Sequence, residues 1–538
     1  MLRDSFCLEC MLTVSIQTQS ASISWRLRLR AWVPPILGAC LLLCGLYGVM
    51  LIYATGQSWV ALGVLSLLML GTWLFTSSKT YVYRYLFPGI IAVLIFVLLP
   101  ILYTFGIGFT NYSSRNLLGF ERSTRYLLEE MIPSEGVEYA FSLHAPAKDP
   151  NRSYRIRLED AGTGKIYLTP ELQLVGKKTL KIEAAEADDK TLAQLPEALQ
   201  VRELIALQAA LKGVAVHLPS GEEVGMSGLR RFVPLQKLYK LDGKNLVNQK
   251  TGEVLVPDFT RGFYVSQTTG EGVTPGFKVG VGLDNFRQIF TDAKYREPFV
   301  RIFIWTNVFA LLTVFFAFSV GILLAVLMNW EALKFRPVYR TMLFLPYAVP
   351  GFISILVFRG LFNESFGEIN LILNGLFGIS PSWFSDPLLA KAMLLIVNTW
   401  LGYPYMMLLC MGLIKSIPAD LYEASAIVGA GPITNFFKIT LPLIARPIMP
   451  LLISSFAFNF NNFVLVSMLT GGGPDYLDTK VPAGATDILV SYTYRIAFVD
   501  SGQNFALAAA ISTVIFALVA VMSVVQLKLT QADRPVNT

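Results

Sequence analysis

Eight stretches of about 20 apolar residues, the length that crosses a hydrocarbon core of ~30 Å, recur along the chain. The first two, Pro35 to Ala54 and Trp59 to Thr76, are separated only by Thr55-Gly56-Gln57-Ser58, so they are expected to form a helical hairpin. A third runs from Phe87 to Phe109. The other five are Arg301 to Met328, Val338 to Leu361, Lys391 to Ile414, Pro447 to Leu469 and Asn504 to Leu527. Pro346 and Pro350 in the fifth stretch and Pro404 in the sixth remove helical hydrogen bonds and predict bends.

Between the third and fourth stretches the pattern changes. Tyr154 to Leu158 and Lys165 to Leu168 alternate apolar and polar residues around the turn Glu159-Asp160-Ala161-Gly162-Thr163-Gly164, which predicts a hairpin. Lys177 to Glu183 and Val214 to Leu218 read as further strands, and Leu192 to Leu211 has helical spacing. The expected fold class is therefore an α-helical polytopic membrane protein of eight transmembrane helices, with a large, mainly β extracytoplasmic domain inserted after span three. The expected division is 1–33 leader, 34–110 spans one to three, 111–298 insert, 299–528 helical core of spans four to eight, and 529–538 tail.

Charge sharpens this picture. Of 538 residues 54% are hydrophobic and 15% charged, where a soluble domain has about a quarter charged. Residues 111–298 hold 24 acidic and 25 basic residues, leaving 13 acidic and 19 basic for the other 350 positions. The net charge of +7 thus sits almost wholly in the apolar part, which excludes a soluble nucleic-acid binder. The short loops supply the excess: Arg26, Arg28 and Arg30; Lys79 and Arg84; Lys334, Arg336 and Arg340; Lys415, Lys438 and Arg446; Lys528 and Arg534. Cytoplasmic flanks are enriched in Lys and Arg, so both termini are expected in the cytoplasm and the insert outside. The helical partner following Pro35 to Ala54, and the lack of a small-residue cleavage site, favour an anchor over a cleaved signal peptide. Met1 to Ser20 differs in composition from the rest, and Met11 is an alternative start.

Several chemistries find no support. Cys7 and Cys10 make one C-x-x-C without a second pair, a poor zinc signal, and the insert has no cysteine. His144 and His217 lie far apart within the insert and read as surface or structural residues, so no metal site is expected. Gly162-Thr163-Gly164-Lys165-Ile166 has the look of a phosphate loop, but Glu159 replaces its first glycine and Ile166 the hydroxyl that ligates magnesium, so it reads as a turn. Spans three to eight bury no carboxylate of the kind a proton-coupled carrier places along its path. A passive channel, or a permease energised by a partner subunit, fits.

The loop after span six separates these. It reads Leu421-Tyr422-Glu423-Ala424-Ser425-Ala426-Ile427-Val428-Gly429-Ala430-Gly431-Pro432, then Ile439-Thr440-Leu441-Pro442, which predicts a short helix, a break and a second helix. Glu-Ala-Ser, three residues, Gly, nine residues and Ile-x-Leu-Pro resembles the EAA loop of ABC importer permeases, with Ser425 in place of the usual second alanine. Phe352 to Leu356, Val397 to Tyr405 and Ser455 to Phe463 are similar to the MalF family, the larger membrane subunits of maltose/maltodextrin importers. The resemblance covers nearly everything after about residue 25.

Independently of any family, Ser455, Asn459 and Asn462 fall at i, i+4 and i+7, and Asn398, Gly402 and Tyr405 repeat that spacing on span six. Asn amides carry both donors and acceptors, as neighbouring sugar hydroxyls require, and Tyr405 and Phe458 offer flat faces to a pyranose ring. The bland reading is that these amides glue helices together, each contact worth ~0.6–2 kcal/mol. The resemblance implies sugar contact by Asn398, Leu401, Gly402, Tyr405, Ser455, Phe458, Asn459 and Asn462. It also implies that residues 415–446 form a coupling loop seated in an ATPase subunit, with Glu423, Ala424, Ser425 and Gly429 as coupling positions. The implied partners are a second permease (MalG-like), two ATPase subunits (MalK-like) and a periplasmic sugar-binding protein (MalE-like). ATP and Mg would be bound by the ATPase subunits, with no cofactor in this chain, which is not itself an enzyme. The implied cargo is maltose or maltodextrin, carried across the bacterial inner membrane. The rival readings are a membrane-anchored receptor or scaffold, and an ABC permease for a different oligosaccharide.

Overall fold

The computed structural model describes residues 24–532 except 57, 135, 146–152, 175–179 and 331. Met1, Met11, Cys7, Cys10 and Arg534, and the first residues of the strand expected from Lys177, lie outside the described residues. The chain forms two compact units, Met1–Tyr103 and Thr104–Thr538.

In the first unit the helices Ser24–Ala54 and Ser58–Thr76 make the expected hairpin, turning at Gly56 with φ +82°. Close approach of the two helices depends on Gly45, where a Cβ would lie 2.8 Å from the Leu68 side chain. The turn after the second helix is tied by Thr80 Oγ1, which donates to Leu74 O at 2.8 Å, and by Arg84 Nε, which donates to the same carbonyl at 3.0 Å.

The second unit holds the insert and the helical core. Two asparagines root the insert. Asn285 Nδ2 donates to Gly108 O and Thr110 O, both at 2.8 Å, and Asn111 Oδ1 accepts from Val279 N at 2.8 Å. A ten-stranded sheet and a five-stranded antiparallel meander, Tyr239 to Val273, make up most of it. Strand Ser153–Asp160 buries every second residue and pairs with Ile166–Leu168 in the register Arg157 to Leu168. The turn between them is the segment that mimics a phosphate loop. Asp160 accepts there from Thr163 Oγ1 and from Gly162 N, and these bonds hold its carboxyl below the usual carboxylate range. Helix Val201–Leu211 is half as long as its spacing suggested, because Pro196 precedes it and Ala198 bridges to His144. Both histidines have structural partners. His144 lies between Pro196 O at 2.7 Å and Ser142 Oγ at 2.8 Å, and His217 contacts Glu223 at 2.9 Å.

Among the described residues six helices are long and apolar enough to cross a membrane: Ile36–Ala54, Tyr83–Gly108, Ala293–Asn329, Pro387–Lys415, Pro432–Phe460 and Phe505–Val525. The second expected span is the shorter apolar helix Val60–Thr76. The fifth is not one rod. It is the pair Arg336–Ala348 and Gly351–Leu361, bent by 90° where Pro346 and Pro350 deny it backbone donors. The seventh ends at Phe460 and resumes as Phe463–Leu469. Pro404 does not break the sixth. It is buried inside the continuous helix Pro387–Lys415, where a missing N–H is tolerated among packed helices.

Helices Ala293–Asn329 and Pro387–Lys415 cross most closely at small residues. A Cβ on Gly321 would lie 2.6 Å from Met406 Cβ and 2.8 Å from Met407 N, and one on Gly402 would lie 3.3 Å from Ala317 Cβ. Among lipid-facing helices such close backbone packing supplies the association that the hydrophobic effect cannot.

Candidate functional site

The bent fifth span and the broken seventh face each other across a cavity of about 800 Å³. All eight residues expected at the sugar path line it: Asn398, Leu401, Gly402, Tyr405, Ser455, Phe458, Asn459 and Asn462. A second, apolar cavity of about 590 Å³ lies beyond Asn461, between Val490 to Phe498 and helix Phe505–Ala532, and contains none of them.

The amides do two jobs. Asn398 and Asn459 are only 5% and 6% exposed, and Asn398 Nδ2 donates to Asn459 Oδ1 at 2.8 Å and to Thr313 Oγ1 at 3.2 Å. Asn459 Nδ2 donates to Ser455 O at 2.8 Å, and Asn462 Nδ2 to Asn398 Oδ1 at 3.4 Å. Both N–H bonds of Asn398 are therefore engaged, while the carbonyl oxygens of Asn398 and Asn459 each keep a second lone pair. The cluster thus glues helices together and also lines the cavity. Around it stand aromatic faces: Phe458 is 71% exposed, Tyr405 39%, Tyr347 61% and Phe352 52%.

Three of these groups were not singled out by sequence. Thr313 is a lone hydroxyl in a long apolar run, and Tyr347 and Phe352 reach the cavity only because the 90° bend carries them there. The proline pair flanking them was the available signal. Gly402 has a second role that spacing could not show, since it also lets Ala317 approach.

The residues expected to couple cluster on helix Asp420–Ile427 and its end. Glu423 and Ala424 are exposed, and Asp420 and Glu423 place negative charge at the positive end of the helix dipole. Gly429 adopts φ +76°. Its N–H donates to Ala426 O at 3.0 Å, and Ala430 N donates to Ser425 O at 3.1 Å, so two of the carbonyls at the helix end are satisfied. Ser425 Oγ donates to Asn435 Oδ1, a bridge across the bend that alanine could not make. Ile427 is 87% exposed, and Val428 and Ile433 are similarly bare, so the bend displays an apolar edge. No group of three or more His, Cys, Asp or Glu side chains that could hold a metal occurs among the described residues.

The sequence matches two family models, the maltose transport system permease protein MalF P2 domain over residues 118–282 and the binding-protein-dependent transport system inner membrane component over 298–531. A maltose/maltodextrin transport system permease protein MalF of Vibrio cholerae is 49% identical over 509 residues, 93% of this chain and 94% of that protein. The chain belongs to the MalF family. Its member from Escherichia coli is 50% identical over 503 residues, covering 92% of this chain and 96% of that protein. This MalF-family chain is accordingly a multi-pass membrane permease, a transport subunit of a binding-protein-dependent importer, with its MalF P2 domain inserted among the apolar helices.

Proposed function

We propose that this permease moves maltose or maltodextrins inward across the bacterial inner membrane. Its partners are a MalG-like second permease, two MalK-like ATPases and a MalE-like periplasmic binding protein. ATP and Mg are bound by the ATPases, and this chain performs no catalysis. The observation that carries the reading is the convergence of eight residues from two helices and a helix break on one cavity, with uncharged donors, acceptors and ring faces suited to a neutral polyol. Its volume lies in the range of ordinary ligand sites, ~300–1,000 Å³. The basic loops support cytoplasmic termini and a periplasmic insert at 111–298. The exposed apolar edge Ile427, Val428 and Ile433, beside Glu423 and Ala424 and held by Gly429 and Ser425, supports seating of residues 415–446 in an ATPase cleft.

Replacing Phe458 by alanine removes the most exposed ring of the cavity without disturbing the buried amide cluster. Uptake is expected to fall about tenfold or more, in line with the ~1.5–3 kcal/mol carried by a buried apolar side chain, while the amount of assembled complex is unchanged. Asn459→Ala strands one Asn398 N–H and is expected to lower both uptake and the yield of complex. A receptor or scaffold, whose spans serve only as an anchor, predicts unaltered uptake for Phe458→Ala. Retained uptake of a different oligosaccharide by the unaltered protein, with none of maltose, favours the other cargo.

A further inference from the structure

The segment that follows the broken seventh span folds around a charge that the sugar path does not use. Asp487 is fully buried. Gly484 N donates to its Oδ2 at 2.7 Å, Ser491 Oγ to its Oδ1 at 2.7 Å, and Arg495 Nη1 to its Oδ2 at 2.8 Å. Arg495 Nη2 reaches outward to Asp475 Oδ1 at 2.7 Å. A carboxylate this deep persists only when paired and hydrogen-bonded, and here each oxygen is engaged.

What the pair grips is the far end of helix Phe463–Leu469. Gly472, at φ +89°, lies so close to the Asp487 carboxylate that any Cβ there would overlap Oδ1. Thr486 fastens the same turn: its N–H donates to Gly472 O at 3.2 Å, its hydroxyl donates to Gly473 O at 2.6 Å, and that hydroxyl lies 2.8 Å from Thr470 Oγ1. The near end of this helix is Asn462, at the cavity, only about 10 Å away at 1.5 Å per residue. On the other side of the knot Leu489 N donates to Thr306 Oγ1 at 3.1 Å. Thr306 lies two turns from Thr313 on helix Ala293–Asn329. A short, rigid path thus joins Asp487 to Asn462 and to Thr313, the two groups that flank Asn398.

We propose that Asp487 and Arg495 are positioning residues for substrate passage, their ion pair fixing where Asn462 and Thr313 stand against Asn398. The proposal rests on the sugar-path reading above. Neither residue touches the cavity, and both act through the helices that line it.

The test measures sugar moved per ATP hydrolysed by the complete importer reconstituted in vesicles, with maltose as probe. A purely structural role lowers uptake and hydrolysis together and leaves that ratio alone. Asp487→Asn keeps the shape but turns one accepting oxygen into an NH2 and strands the Arg495 charge, so the double variant D487N/R495Q, which buries no lone charge, is measured beside it. The expected result is assembled complex with retained ATP hydrolysis and a ratio lowered about tenfold, the scale of supporting-residue changes at other sites. An unchanged ratio in both variants overturns the proposal. Loss of assembled complex in both also overturns it, since the pair is then a folding element. If the unaltered importer moves no maltose, the sugar-path reading fails first and takes this inference with it.

Discussion

Valine at position 429 is expected to lower sugar uptake by the assembled importer about tenfold or more while leaving membrane insertion intact. Gly429 stands at φ +76° with no atom within 4 Å of where a Cβ would sit, so the obstacle is the backbone conformation and not space. The left-handed region costs an L-residue about 1–2 kcal/mol, and more when it is β-branched. That penalty alone lowers the population of the bent loop about tenfold. The bend presents Ile427, Val428 and Ile433 together, and Glu423 lies one turn back on the same short helix. Asparagine tolerates the left-handed region, so Gly429→Asn is expected to keep most activity. Glu423→Ala is expected to uncouple, with ATP hydrolysed but little sugar moved. Full uptake in both Gly429→Val and Glu423→Ala would remove the coupling role from this loop.

Leucine at position 321 is expected to destroy the core. The Met406 Cβ and Met407 N that meet a Gly321 Cβ at 2.6 and 2.8 Å belong to or adjoin the backbone of the facing helix, so rotamer changes cannot relieve the clash. The helices must separate, and with them Thr313 and Asn398, whose 3.2 Å hydrogen bond spans the same crossing. Even alanine should cost about 1–3 kcal/mol, the usual range for overpacking, and leucine more. Gly412 lies on helix Pro387–Lys415 with nothing within 4 Å, so Gly412→Ala is the matched control and should be silent. Thermal stability of the detergent-solubilised complex measures this. Equal melting of the Gly321→Ala and Gly412→Ala proteins would contradict the packing argument.

Much of this architecture was legible because its signals are local. Runs of apolar residues give the spans, and strict alternation gives the strand Ser153–Asp160. The proline pair at 346 and 350 announced a bend, though not its 90°. What escaped depends on contacts between distant residues. Ser455, Asn459 and Asn462 share a helical spacing, yet the helix stops at Phe460 and Asn462 caps the next one, accepting from Leu465 N. The three converge on the cavity by a route their spacing did not describe. The mutual bonding of Asn398 and Asn459 joins residues 61 apart, and the role of Thr313 follows from a partner 85 positions away. Pro404, by contrast with the pair at 346 and 350, lies inside an unbroken helix, a difference that the prolines alone do not show. Asp487 was not singled out although Gly484, Ser491 and Arg495 stand only three, four and eight positions from it; the distant contact is Gly472, which the fold brings against its carboxylate.

The most direct test of the central claim is ATP-dependent uptake of radiolabelled maltose into vesicles holding this chain with its second permease, ATPases and binding protein, omitting one component at a time. The account predicts uptake that requires every component and is lost without this chain. Maltose accumulation that persists without it, or no accumulation of maltose or maltodextrin by a fully assembled, ATP-hydrolysing complex, would contradict the account.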